Sequence, residues 1–277
     1  MALVYSVEVD DSTRRAISAA IRRLAGARPG TAAQVRIVSV PPQHIGLGSK
    51  TAIILAVLKA IDLACTLRLT KSELQFLSGR GGTSGVGINV FFTGGFVVDG
   101  GHDSRMYRGF LPSRFRRPLE IPPSTCRIGI PGGWCFHLLL APGKLMQGVE
   151  ERRFFEENTP ISREEVFQTI ALAFHGLVPA VRTGDLRLLR EILDSIHKIG
   201  FKRRELSGQT AAVRNILQSL HERGDCAVGL SSMGPLVYAV SNADNWKLSE
   251  FVESLGRSAG ARMLGTFPGR DLGYRKQ

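Results

Sequence analysis

Paired cysteines are missing from this 277-residue sequence: Cys65, Cys126, Cys135 and Cys226 are widely scattered, with no CxxC among them. That disfavours a zinc site and a disulfide framework, and it fits four core thiols in a reducing cytoplasm. Long apolar runs are also lacking, because Lys59 and Asp62 divide the most apolar segment below the roughly 18 residues of a membrane span. The start, Met1 to Val9, is too short and too acidic for a signal peptide, so a cytoplasmic protein is expected. Acidic residues are in deficit, 24 against 36 Lys and Arg, for a net charge of +12. Such a balance suits nucleic acid or small polyanionic substrates. The bases are dispersed, however, with one concentration at Arg105, Arg108, Arg114, Arg116 and Arg117 around a proline-containing loop. No helix-turn-helix, zinc-finger or RNP pattern accompanies them, so a nucleic-acid partner is not expected.

What the sequence has is glycine, 31 residues of it, gathered in a few places. In the run Pro41-Pro42-Gln43-His44-Ile45-Gly46-Leu47-Gly48-Ser49-Lys50-Thr51-Ala52, a glycine turn follows the alternating segment Val35–Val40 and precedes an apolar stretch from Ala52 to Leu67. A strand, a tight turn and a helix start are the parts of an anion site, since first-turn N–H groups point at whatever sits there. A plain connection uses the same parts, and the spacing is not that of a Walker A loop. His44 lies against the turn, either to orient it or to pack.

Around this turn the pattern is mixed helix and strand. Asp10-Asp11-Ser12 caps a helix reaching about Ala25, and a second glycine segment, Gly79 to Gly87, leads into Ile88–Phe92 and Phe96–Val98, which read as paired strands around Gly94-Gly95. Residues 112–123, rich in Pro and Arg, mark the expected border between domains 1–123 and 124–277. Beyond it, Trp134–Leu140 reads as a buried strand, and Arg163–Val181, Asp185–Ile199 and Gln209–Arg223 as helices. Strands at Cys226–Leu230 and Leu236–Val240 flank Ser231-Ser232-Met233-Gly234-Pro235, followed by a helix near Ala243–Ser258 and a strand near Ala261–Thr266. With 43% hydrophobic residues, the chain can bury the cores of one large or two modest α+β domains.

Three segments in this order resemble the GHMP superfamily of small-molecule kinases: the turn at 41–52, Gly82-Thr83-Ser84-Gly85-Val86, and Gly229-Leu230-Ser231-Ser232-Met233-Gly234-Pro235. The resemblance implies an S5-like N-terminal domain and a ferredoxin-like C-terminal one, with the ligand between them. A non-kinase branch, the β-ribofuranosylaminobenzene 5′-phosphate synthases of methanopterin biosynthesis, is more similar still. It shares His44–Ser49, Gly79–Gly87, Gly94–His102, Pro179-Ala180 followed by Asp185, and the loop at 231–235. Kinases of the superfamily carry an Asp after the Ser-Gly-hydrophobic triplet, and here Gly87 stands in its place, so the usual base for a hydroxyl is gone.

That branch implies a decarboxylating C-ribosyl transfer from phosphoribosyl pyrophosphate (PRPP) to an aromatic carboxylate of the 4-aminobenzoate or 4-hydroxybenzoate type. Pyrophosphate and carbon dioxide are released, and Mg²⁺ is the expected cofactor. Carried onto this sequence, Gly46, Leu47, Gly48, Ser49, Lys50 and Thr51 would hold pyrophosphate. Arg80, Thr83 and Ser84 would take a phosphate or the acid's carboxylate, and Ser231 and Ser232 would add hydroxyls. Asp99 and His102 would serve the chemistry. Asp185 would serve it too or cap a helix. Spacing assigns no Mg²⁺ ligand. The resemblance also implies further strands before the first helix, where about nine residues stand here, so an open sheet edge and a homodimer over it are expected. A C-nucleoside synthase acting on a heteroaromatic acid, an ATP-dependent kinase and a non-enzymatic binding module stay open as alternatives.

Overall fold

The computed structural model describes every residue except Ser104, Arg108, Arg114 and Gln277, so two arginines of the basic loop lie outside the described residues. The chain divides into two compact units. One comprises Met1–His44, Gly48–Thr125 and Leu272–Gln277; the other comprises Ile45–Leu47 and Cys126–Asp271.

In the first unit, β1 (Ala2–Tyr5) pairs in parallel with β2 (Gln34–Ile37) across α1 (Asp11–Ala27). Asp10 caps α1 by accepting from Thr13 N, as its position before the apolar periodicity predicts. Then come α2 (Ser49–Ala64), α3 (Lys71–Ser78), α4 (Val86–Thr93) and β3 (Phe96–Asp99), which pairs with β4 (Ser124–Ile128). The expected strand at Ile88–Phe92 is therefore a helix. Apolar β-branched and aromatic residues favour a strand locally, but here the helix buries Ile88 and Asn89. The Asn89 amide donates to Gly85 O and Pro122 O, and Gln75 Nε2 donates to Asn89 Oδ1 and Ile88 O, so tertiary bonds settle the conformation.

Ile17, Leu24, Ile54, Leu58, Ile61 and Leu74 fill the core of this unit, each with 1% exposure or less. Burial of one such side chain is worth about 1.5–3 kcal/mol, and together they hold the helix that follows the glycine turn. Asp62, inside α2, is buried but satisfied: it accepts from Leu69 N (2.9 Å) and pairs with Lys59 Nζ (2.6 Å).

The second unit is built on an antiparallel sheet of order β6-β7-β5-β8, from β5 (Trp134–Leu140), β6 (Ala227–Leu230), β7 (Leu236–Asn242) and β8 (Arg262–Pro268). Its helices are α5 (Val149–Asn158), α6 (Arg163–Leu172), α7 (Val178–Thr183), α8 (Leu186–His197), α9 (Gly200–Ser207), α10 (Ala211–Arg223) and α11 (Trp246–Ser258). The single helix expected over 163–181 is interrupted by a π-helical turn at Ala173–Leu177, where Gly176 packs against Ile192. Two helices of this unit, α5 and α9, went unread in the sequence, as did α3 of the first; α5 and α9 are both charged and weakly patterned. Leu139, Val213, Ile216, Leu220, Val237 and Leu248 form the core of this second α+β layer.

All four cysteines are free, and only Cys226 is buried; burial, with Asp225 beside it, pushes its thiol up to about 12. Among the described residues, no helix is long and apolar enough to cross a membrane.

Candidate active site

The glycine turn ends on Gly48, left-handed at φ 65°, which offers the first turn of α2 no side-chain cap. The start of that helix is thus open to an anion, with Ser49 and Thr51 buried and Lys50 half-buried just inside it. Lys50 Nζ donates to Ser12 Oγ (2.7 Å), Ser12 in turn to Asp10 (2.5 Å), and His44 Nε2 lies 3.1 Å from the same carboxylate. Burial works to raise the Asp10 carboxyl, but hydrogen bonds from Ser12, Thr13 and His44 outweigh it and hold it well below the usual carboxylate range. Asp10 therefore caps α1 and anchors both flanks of the glycine turn. The sequence showed only the first role, because nothing in Asp10-Asp11-Ser12 reveals that residues 44 and 50 come back to it.

The second glycine segment meets α2 from the side. Arg80 Nε donates to Thr51 Oγ1 (3.1 Å) and its Nη1 to Ser113 O (3.3 Å). Thr83 spends its hydroxyl on Leu111 O (2.5 Å), which makes it a loop anchor. Asp99, at the end of β3, accepts from Gly85 N (3.0 Å) and Ser84 Oγ (3.1 Å) with one oxygen and from Gly101 N (2.9 Å) with the other. His102 Nε2 lies 2.7 Å from Gly81 O, and since a carbonyl only accepts, Nε2 carries the proton. Its Nδ1 is buried with no partner among the described residues. Lys50, Thr51, Arg80, Ser84, Asp99 and His102 are thus all engaged in polar contacts within the first unit, in separate groups.

Gly87 sits in the first turn of α4, exposed, where an added Cβ would meet only Thr51, at 3.6 Å. A side chain would fit. The missing carboxylate is a chemical feature of this chain and not a steric necessity.

In the second unit, Gly46 and Gly234 interlock two loops. A Cβ on Gly46 would stand 2.0 Å from Ser231 O, and one on Gly234 would stand 2.3 Å from the Ile45 carbonyl. Ser231 Oγ donates to Gly46 O (3.1 Å), so that hydroxyl is engaged. Ser232 is exposed at φ 54°, and Leu47 is exposed beside Gly46. Asp185 accepts from Leu188 N (2.9 Å) and caps α8, which is the capping role that its position allowed.

Residues 13–95 match the GHMP kinases N terminal domain. A β-ribofuranosylphenol 5′-phosphate synthase of Archaeoglobus fulgidus is 35% identical over 215 residues, 78% of this chain and 66% of that protein's own length. The enzyme of the same name from Methanothermobacter thermautotrophicus is 32% identical over 239 residues, 82% of this chain and 72% of the relative. The chain belongs to the β-ribofuranosylphenol 5′-phosphate synthase family, within the GHMP superfamily. In fold it is similar to Streptococcus pneumoniae phosphomevalonate kinase, with a TM-score of 0.66 over 96% of this chain and 85% of that one at 14% identity. The α+β fold is thus of the GHMP type, while so low an identity carries nothing about substrate.

Proposed function

We propose that this chain is a PRPP-dependent, decarboxylating C-ribosyl transferase that joins ribose 5-phosphate to a hydroxylated or aminated benzoate. The ring carbon bearing the carboxylate attacks C1 of the ribose as pyrophosphate leaves with the electrons of the C1–O bond. The carboxylate then departs as carbon dioxide, and its bonding pair restores the aromatic ring. Gly87 is the observation that carries this reading: beside Thr51 and the open start of α2, where a hydroxyl kinase needs a proton acceptor, this chain has none. The names of the relatives supply the phenol riboside phosphate as product class.

In this reading the Ser49, Lys50 and Thr51 backbone and the Lys50 ammonium face the leaving pyrophosphate, and Arg80 offers a planar fork to a phosphate. Asp99 holds the turn at 84–85 and 101 in place, and its charge favours the ribosyl cation that develops as pyrophosphate leaves. His102 Nδ1 is an acceptor for a proton of the aromatic substrate's hydroxyl.

Mg²⁺ is commonly held by one or two carboxylates plus substrate phosphates, and the oxygen donors of Asp99 and Ser84, 3.1 Å apart, fit such a demand. When bound there, the ion would neutralise pyrophosphate charge. Among the described residues no group of three or more His, Cys, Asp or Glu could cage a metal alone.

Incubation with PRPP, Mg²⁺ and either 4-hydroxybenzoate or 4-aminobenzoate should release pyrophosphate and carbon dioxide in equal amounts. Turnover of ATP with an alcohol acceptor, and none of PRPP, would refute the proposal.

A further inference from the structure

A cavity of about 260 Å³ opens in the second unit, away from every residue assigned above, between α8, α9, α10 and β6. Its floor is apolar: Leu206, Leu217 and Val228. Its rim carries the cations Lys198, at the end of α8, and Arg214, on α10, beside the rings of His197 and His221. The one carboxylate in the lining, Asp194, is already paired with His221 Nδ1 at 3.0 Å. Lys202 and Glu205 of α9 pair with each other, and Arg214 Nη1 donates to Gln209 O, which leaves the rest of that guanidinium for another acceptor. Positive charge is therefore in surplus above an apolar floor.

We propose that this cavity is a binding site for a small carboxylate with an apolar body, an aromatic monocarboxylate in the first instance. The carboxylate would lie between Lys198, Arg214 and the His197 ring, and the apolar body on Leu206, Leu217 and Val228. A single ring with its carboxylate fits within 260 Å³. The floor decides against a bare phosphate, which gains nothing from apolar walls. Burial, then Lys202, with His221 and Lys198 adding to it and only Asp194 opposing, pull the His197 ring down to about 4, so the ring is neutral near pH 7 and reports any anion that settles beside it. No hydrogen-bond partner of that ring occurs among the described residues, so the one N–H of the neutral imidazole is available to an anion. Nothing in this inference depends on the ribosyl-transfer reading, as the residues involved are separate.

The test uses the full chain with benzoate as probe, following the His197 ring by NMR while the ligand is titrated, with inorganic phosphate in a parallel series. Benzoate should saturate the His197 shift and move the titration of that ring to higher pH, and phosphate should do so far more weakly. Lys198→Glu reverses an exposed charge and so should not affect folding; it should weaken benzoate binding at least about tenfold. Arg80→Ala, in the other unit, should leave the His197 response unchanged. The proposal fails if His197 does not respond to benzoate, if phosphate matches benzoate, or if Lys198→Glu binds as the parent does.

Discussion

Arg80 Nε donates to Thr51 Oγ1 at 3.1 Å, tying the second glycine segment to the helix that begins at the first glycine turn. A guanidinium held in this way is fixed in its plane, a geometry that a more flexible ammonium cannot reproduce. Arg80→Ala is expected to lower PRPP-dependent pyrophosphate release by about 10²–10³-fold, the scale of losing one donor to a developing charge. Arg80→Lys should recover little of it, and thermal denaturation should show both variants folded. Near-parental rates in either would remove Arg80 from the donor site.

Gly87→Asp tests the chemistry of the missing base. The position is exposed and the nearest atom to a new Cβ is 3.6 Å away, so stability should change by less than about 1 kcal/mol. A carboxylate so close to Thr51 would repel a bound pyrophosphate, and calorimetry should record PRPP affinity reduced about tenfold or more. Unaltered PRPP binding would mean that pyrophosphate lies elsewhere.

Asp10 makes a pH-dependent contribution whose sign can be stated. Its carboxyl is held below the ordinary value of about 3.9, so the stabilisation it gives is complete above that pH and fades as pH falls below it. Urea midpoints of the parent and of Asp10→Asn, measured from about pH 6 to pH 2, should therefore differ most near neutrality and converge in acid. A gap that widens on acidification would reverse the assignment.

Gly46→Ala should cost about 1–3 kcal/mol or more, because the methyl group would have to displace the Ser231 carbonyl and the backbone sits at φ 105°. Denaturant unfolding gives the number. A stability equal to the parent's would show that the two loops can part without penalty.

Much of this architecture was legible in the sequence where one short-range signal dominates. The apolar run at 134–140, the Asp10 cap and the three glycine loops all express local rules that a neighbour seldom overrides. The helix at 86–93 was not legible, since its conformation is decided by Gln75 and by the Pro122 carbonyl, far away along the chain. The same limit hid Asp10 as the anchor of His44 and Lys50, because a carboxylate that caps a helix uses ordinary cap spacing whatever else it binds. For Asp185 the sequence allowed a cap or a catalyst, and the bond to Leu188 N shows the first in use.

The interlock of Gly46 with Gly234 also bears on how the chain can be cut. Residues 45–47 belong to the unit otherwise formed by 126–271 and fill the turn at 231–235 from nearly two hundred positions away. A fragment starting at residue 126 would lack the piece that seats its own serine loop, with Ser231 Oγ deprived of its acceptor and the Gly234 turn left uncovered. That unit is compact in space yet discontinuous in sequence, so no single cleavage can release it whole.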